Sequence, residues 1–323
     1  MVSIESSMMP PASSGTSGDV ILRTHNLMKQ YGKRLAVNNL NLEVHRGDIF
    51  GFLGPNGAGK TTTIRMALGL IAPTAGTVEV LGKNIATHSA EVLPRVGALV
   101  ETPALYLYMN GRDNLRAVGQ SLGGIPEERI TQVLGMVGLA NRQKDRVRTY
   151  SLGMKQRLGV AMALLNDPEM LILDEPANGL DPAGIVEMRE LFRALAHQGK
   201  TVFISSHVLG EVQQLCTRVA ILNLGQLVTE ARPAELIQST GQYLVIVENA
   251  PAALALIQRE AWGTTAQLDA NGAILTLSPD GRGLSLNKFL SDAGYVPDSI
   301  IYQSESLEQA FLRLTNTGTG GAA

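Results

Sequence analysis

At 323 residues the chain is longer than a single domain usually is, so one large domain with a smaller companion is expected. A formal net charge of −2 provides no basic field for phosphate backbones, so no nucleic-acid partner is expected, and one cysteine, Cys216, excludes an internal disulfide or a cysteine-rich metal site. Hydrophobic residues make up 45%, enough for a substantial core, but no run approaches the roughly 20 apolar residues of a membrane span, so work at a membrane would require a partner.

In chain order, residues 1–18 are rich in Ser, Pro and Gly, with neither a basic start nor a continuous apolar stretch, and read as a disordered tail and not a secretion signal. From residue 19 or 20 to about 239, short β-branched runs alternate with Gly-punctuated segments of helical period, the texture of an α/β domain with a mainly parallel sheet. Tyr31 sits in a loop ahead of the first strong strand, residues 49–53. Gly54-Pro55-Asn56-Gly57-Ala58-Gly59-Lys60-Thr61-Thr62 follows that strand and leads into a helix over 61–70, which Pro73, Thr74 and Gly76 end. Residues 91–166 are mostly helical in pattern, with a turn at Gly123-Gly124, and read as a helical insertion. Residues 170–173 and 201–205 lack the alternation of half-exposed strands and read as buried ones.

After about residue 239 the texture changes to strand, helix, strand, strand, helix, strand over 243–248, 251–259, 266–268, 274–277, 284–293 and 299–303. Pro251 suits a first helical turn, Asn271-Gly272 a hairpin turn, and Ser306 with Gln309 a capping box opening a last helix. This βαββαβ order is compatible with a ferredoxin-like unit over 240–323, ending in flexible residues. Nothing in it reads as catalytic.

Gly54-x4-Gly59-Lys60-Thr61 has the form of a phosphate loop. A triphosphate needs several donors converging on its oxygens, and backbone amides supply them where Gly54, Gly57 and Gly59 let the chain come close. The helix that follows adds its unpaired amides and positive dipole end. Lys60 is placed to bridge the terminal phosphates and the Thr61 hydroxyl to ligate Mg²⁺. Asp174 ends an apolar strand, where a parallel sheet opens its ligand crevice, and is expected as the outer Mg²⁺ partner. Glu175 beside it is placed to act as general base towards an attacking water.

A guanine-reading Asn-Lys-x-Asp sequence is missing: Asn287-Lys288 has no Asp two residues later. Instead Ser151-Leu152-Gly153-Met154-Lys155-Gln156-Arg157 resembles the signature of ATP-binding-cassette ATPases. With Tyr31, the phosphate loop, Asp174-Glu175, Asp181 and His207, the resemblance covers about residues 20–239. It implies an α/β cassette of the P-loop NTPase class, with a RecA-like mainly parallel core, antiparallel strands and a helical subdomain over about 91–166. It further implies that Tyr31 stacks on adenine, that Ser151, Gly153 and Met154 close over ATP held by an opposite subunit, that Asp181 links the two sites, and that His207 is a switch residue.

Leu152 stands where many relatives have Gly, Met154 where Gln is common, and Glu101 where most have a glutamine that reports on Mg²⁺. All three fit the bacitracin and lantibiotic self-protection branch. The resemblance therefore implies the ATP-hydrolysing subunit of an exporter, paired with a second copy or a related subunit and held at the inner face of the plasma membrane by separate permease subunits. A soluble relative acting in translation or DNA repair is the alternative; such relatives usually carry two cassettes or a long heptad insertion, neither of which is visible. Ligand sensing by the C-terminal unit is a third reading.

Overall fold

The computed structural model describes residues 20–237 and 239–316; the expectations for residues 1–18 and for the last residues lie outside them. The chain forms two compact units that divide between Pro233 and Ala234, against an expected boundary at 239/240.

The first unit contains two sheets. A six-stranded sheet runs Gln226–Ala231, Arg218–Asn223, Ile49–Leu53, Thr201–Ser206, Met170–Asp174, Val96–Leu99, parallel throughout except for its antiparallel edge strand Gln226–Ala231. Its central strands Ile49–Leu53, Met170–Asp174 and Thr201–Ser206 are buried at every position. That is why they read as continuous runs rather than alternations, being covered on both faces. Phe50 and Phe52 pack on Phe203 of the adjacent strand, with ring centroids 5.7 and 5.2 Å apart.

A second, antiparallel sheet is ordered Arg34–His45, Val20–Tyr31, Ala75–Val80, Lys83–Asn84. Its apolar residues Leu22, Leu40 and Val78 join the same buried cluster as Phe50 and Phe203. Tyr31 therefore ends a strand, paired with Arg34 across a tight hairpin, and is not a loop residue. Three consecutive residues, Lys29, Gln30 and Tyr31, obscured the strand because they leave no apolar alternation.

The expected helical stretch 91–166 differs at its start. Val96–Leu99 is an edge strand of the central sheet, and its four residues are too few to show a period. Helices Gly111–Ser121, Glu127–Met136 and Leu152–Leu164 follow. The last of these packs on Val96–Leu99 so closely that a Cβ on Gly97 would lie 2.1 Å from the Ala163 carbonyl oxygen. The helix after the phosphate loop spans Lys60–Ala67 and stops short of Leu70, because Gly69 turns the chain at φ 67°.

In the second unit the strand order is Gln267–Leu268, Ile274–Thr276, Ser239–Ile246, Ser299–Ser304, all antiparallel. Helices Ala250–Ile257 and Gly283–Asp292 contribute Ala253, Ile257, Leu286 and Leu290 to a core shared with Val245 and Ile274. With the βαββαβ chain order, this is a ferredoxin-like arrangement. The terminal helix Leu307–Asn316 opens with the expected capping box: Ser306 Oγ accepts from Gln309 N at 3.2 Å, and Gln309 Oε1 accepts from Ser306 N at 2.8 Å.

Gly97→Ala should lower stability by about 1–3 kcal/mol through overpacking against backbone, read as an earlier thermal unfolding transition. An unchanged transition would show that the strand–helix contact is not tight.

Candidate functional site

Parallel strands expose their carboxyl ends along one edge of a sheet, and the register decides which residues meet there. Leu53 lies beside Ser206, and Asp174 beside Ser205. The phosphate-loop segment, the Asp174-Glu175 pair and His207 therefore leave the sheet as neighbours, from positions more than a hundred residues apart in some cases.

The loop itself is shaped by two glycines in left-handed conformations, Gly57 at φ 83° and Gly59 at φ 106°. A Cβ on Gly54 would lie 2.6 Å from the Leu222 carbonyl, and one on Gly59 would lie 2.5 Å from that of Ala36, so both are packed where no side chain fits. Ala58 is buried, its amide turned back to the Pro55 carbonyl at 3.1 Å. The helix Lys60–Ala67 starts with no side-chain cap and no acidic residue in its first turn. Its N-terminal amides and dipole are thus left for an external anion.

Lys60 is buried, and its ammonium donates to the Gly54 carbonyl at 2.7 Å, reaches Pro55 O at 3.4 Å and lies 3.7 Å from Glu175 Oε1. Together with Tyr31, Arg34 and Ala36, the residues Pro55, Asn56, Gly57, Gly59, Lys60, Thr61, Thr62 and Glu175 line one cleft of about 370 Å³. Tyr31 is 47% exposed at its mouth, with the Lys29 ammonium 5.2 Å from the ring centroid.

Asp174 is 2% exposed and has no cationic side chain paired to it among the described residues. Its Oδ2 accepts from Thr61 Oγ1 at 2.8 Å and its Oδ1 from Ser205 Oγ in a short bond. A buried carboxylate satisfied only by hydroxyls carries uncompensated charge, a costly arrangement unless a cation completes it. Among the described residues no group of three or more His, Cys, Asp or Glu gathers around it. The cation it suits is therefore one that takes few protein ligands and keeps phosphate and water oxygens.

Glu175 sits at φ 51°, a left-handed backbone that glutamate disfavours. It is held there by its amide donating to Ser205 Oγ at 3.0 Å and by Gln156 Nε2 donating to its carbonyl at 3.3 Å. Its side chain meets His207, Nδ1 to Oε2, at 2.8 Å. Ser205, Gln156 and Arg34 are thus parts of the site that sequence reasoning missed. Ser205 offered one clue, a polar residue following the apolar run of a buried strand.

The remaining expected residues lie outside the cleft lining. Ser151 caps the helix Leu152–Leu164, its Oγ accepting from Met154 N at 3.1 Å. Gly153 packs against Leu180, and a Cβ there would be 3.0 Å from Leu180 Cδ2. Asp181 caps the helix Pro182–His197 by accepting from Gly184 N at 3.0 Å. Glu101, two residues beyond the strand Val96–Leu99, has its carboxylate on Arg65 at 2.5 Å.

The family profile described as ABC transporter matches residues 37–178. The bacitracin transport ATP-binding protein BcrA of Bacillus licheniformis is 43% identical over 303 residues, which span 93% of this chain and 99% of that protein. The lantibiotic transport ATP-binding protein SrtF of Streptococcus pyogenes is 41% identical over 210 residues, 65% of this chain and 90% of that protein. A solved ATP-binding subunit of an ABC transporter superposes with a TM-score of 0.61 at 27% identity, covering 67% of this chain and 91% of that one. A phosphate loop, an acidic pair and a signature segment placed on this cassette fold leave one conclusion: the chain belongs to the ABC transporter family and is an ATP-binding, ATP-hydrolysing subunit of a transporter.

Proposed function

We propose that the chain is one half of an ATP-sandwiched pair that drives export of a drug, antibiotic peptide or related amphipathic molecule through separate membrane subunits. The observation that carries the reading is the division of the site. The cleft holds Tyr31, the phosphate loop and Glu175, while Ser151, Gly153 and Met154 sit apart from its lining on their own helix. A second copy, or a related subunit, facing head to tail through a two-fold axis would bring its signature segment to this cleft. ATP then bridges the two, and its hydrolysis releases them.

Within one cleft, Tyr31 offers a π face to adenine and the amides of residues 54–62 with Lys60 take the phosphates. Mg²⁺, when bound, would neutralise phosphate charge, with Thr61 as its hydroxyl ligand, Asp174 as outer partner and Glu101 approaching from the neighbouring segment. Glu175 accepts a proton from the attacking water, and His207 fixes the orientation of its carboxylate. Asp181, beside the signature segment, links one site to the other.

No helix among the described residues is long and apolar enough to cross a membrane. The segment Tyr106, Leu107, Tyr108 and Met109 is exposed, Tyr108 at 81%, and is fastened by Val147 N and Arg148 N donating to the carbonyls of Met109 and Leu107. An exposed apolar run of this kind suits a permease, which would hold the chain peripherally at the cytoplasmic face. Bacitracin and lantibiotic transport in the relatives' names supports the exporter assignment and disfavours translation or DNA repair.

Ser205→Ala should raise the Mg²⁺ concentration for half-maximal ATPase activity by about tenfold, because it removes the group orienting Asp174; an unchanged Mg²⁺ dependence would contradict that role. Pull-down of the tagged chain from solubilised membranes of its host should bring a multi-span protein in near-equal amount. Recovery with ribosomes or DNA-bound proteins alone would overturn the transport function.

A further inference from the structure

We infer that Arg34 is a further phosphate-binding residue of the nucleotide cleft, its guanidinium taking oxygens of the two phosphates that ATP and ADP share. The inference rests on the cleft reading proposed above, with adenine at Tyr31 and phosphates at the glycine loop. Arg34 opens the strand Arg34–His45 and faces Tyr31 across the hairpin. Alternate residues of a strand share a face, and Arg34 and Ala36 both line the cleft, whereas Leu35 does not. Contacts fix that placement: a Cβ on Gly59 would lie 2.5 Å from the Ala36 carbonyl oxygen, and Asn38 N donates to Gly225 O at 2.8 Å. The side chain ends at the phosphate loop, with Nη2 3.3 Å from where a Cβ on Gly57 would stand.

Charge separates the two cations of the lining. Lys60 is already engaged, donating to the Gly54 carbonyl and lying 3.7 Å from Glu175 Oε1. The Arg34 side chain makes no hydrogen bond or ion pair among the described residues, so its five donors and its permanent charge are open to an incoming anion. A planar guanidinium fits a phosphate with two parallel hydrogen bonds, which a lysine cannot do. Its place selects which phosphates it meets. Glu175 and the Thr61–Asp174 contact mark the reacting end of the cleft, and Tyr31 marks the base end. Arg34 reaches the loop from the Tyr31 side, where the phosphates next to the nucleoside pass.

Equilibrium binding of Mg²⁺ with a non-hydrolysable ATP analogue, and of Mg²⁺ with ADP, to the full chain tests this without turnover. Arg34→Ala should weaken both nucleotides by the same factor, about tenfold, the scale of a hydrogen bond to a charged group. Arg34→Gln, which keeps most of the reach but no charge, should lose as much, and Arg34→Lys should recover only part. In a Tyr31→Ala background the loss on Arg34→Ala should persist, because the two side chains meet different parts of the nucleotide. A loss confined to the analogue would move Arg34 to the γ-phosphate, and a loss that vanishes without Tyr31 would make it a prop for that ring. Either result, a glutamine as good as arginine, or no loss at all would overturn the inference. Failure of the parent chain to bind either nucleotide would instead remove the cleft assignment beneath it.

Discussion

Ser205 ties the catalytic edge together. Its hydroxyl donates to Asp174 and accepts from the Glu175 amide, and Asp174 in turn takes the Thr61 hydroxyl. Through this one side chain the ends of two strands and the start of the phosphate-loop helix are fixed relative to each other. The arrangement holds only if Thr201–Ser206 lies between Ile49–Leu53 and Met170–Asp174 in the register observed. A slip of one residue would turn Ser205 and Asp174 to opposite faces and dismantle the site. The fully buried strands, with the stacked Phe50 and Phe203 between them, make such a slip costly.

Around that edge the site divides its labour by chemistry. In the proposed reading, backbone amides and buried Lys60 take phosphate charge, Asp174, which has no cationic side chain paired to it among the described residues, serves a metal, and Glu175 faces the reaction. Glu175 and Glu101 both stand at positive φ, 51° and 58°, a backbone region that costs a residue with a Cβ. Each is held by a different partner, Glu175 by Ser205 and His207, Glu101 by Arg65.

Much of this was legible in the sequence because its signals are local. Glycines 54, 57 and 59 before Lys60-Thr61 declare the loop, short runs without alternation declare the buried strands, and Pro251, Asn271-Gly272 and Ser306 with Gln309 punctuate the C-terminal unit. What escaped reading was long-range or too short. Val96–Leu99 has four residues and no period, so it was absorbed into the neighbouring helices. Tyr31 is a strand residue because of its pairing with Arg34, and nothing in Lys29-Gln30-Tyr31 itself says so. The partners of Ser205 and Arg65 are set only by what the fold brings near, Asp174 thirty-one residues away and Glu101 thirty-six.

The central claim is that ATP joins two copies of this site, and a slowed enzyme shows it most directly. Sedimentation velocity of the Glu175→Gln chain with and without ATP should reveal a monomer that becomes a dimer only when ATP is present, while hydrolysis falls by about a hundredfold or more. A chain that binds ATP yet stays monomeric, or that hydrolyses it at the parent rate, would contradict the paired-site account.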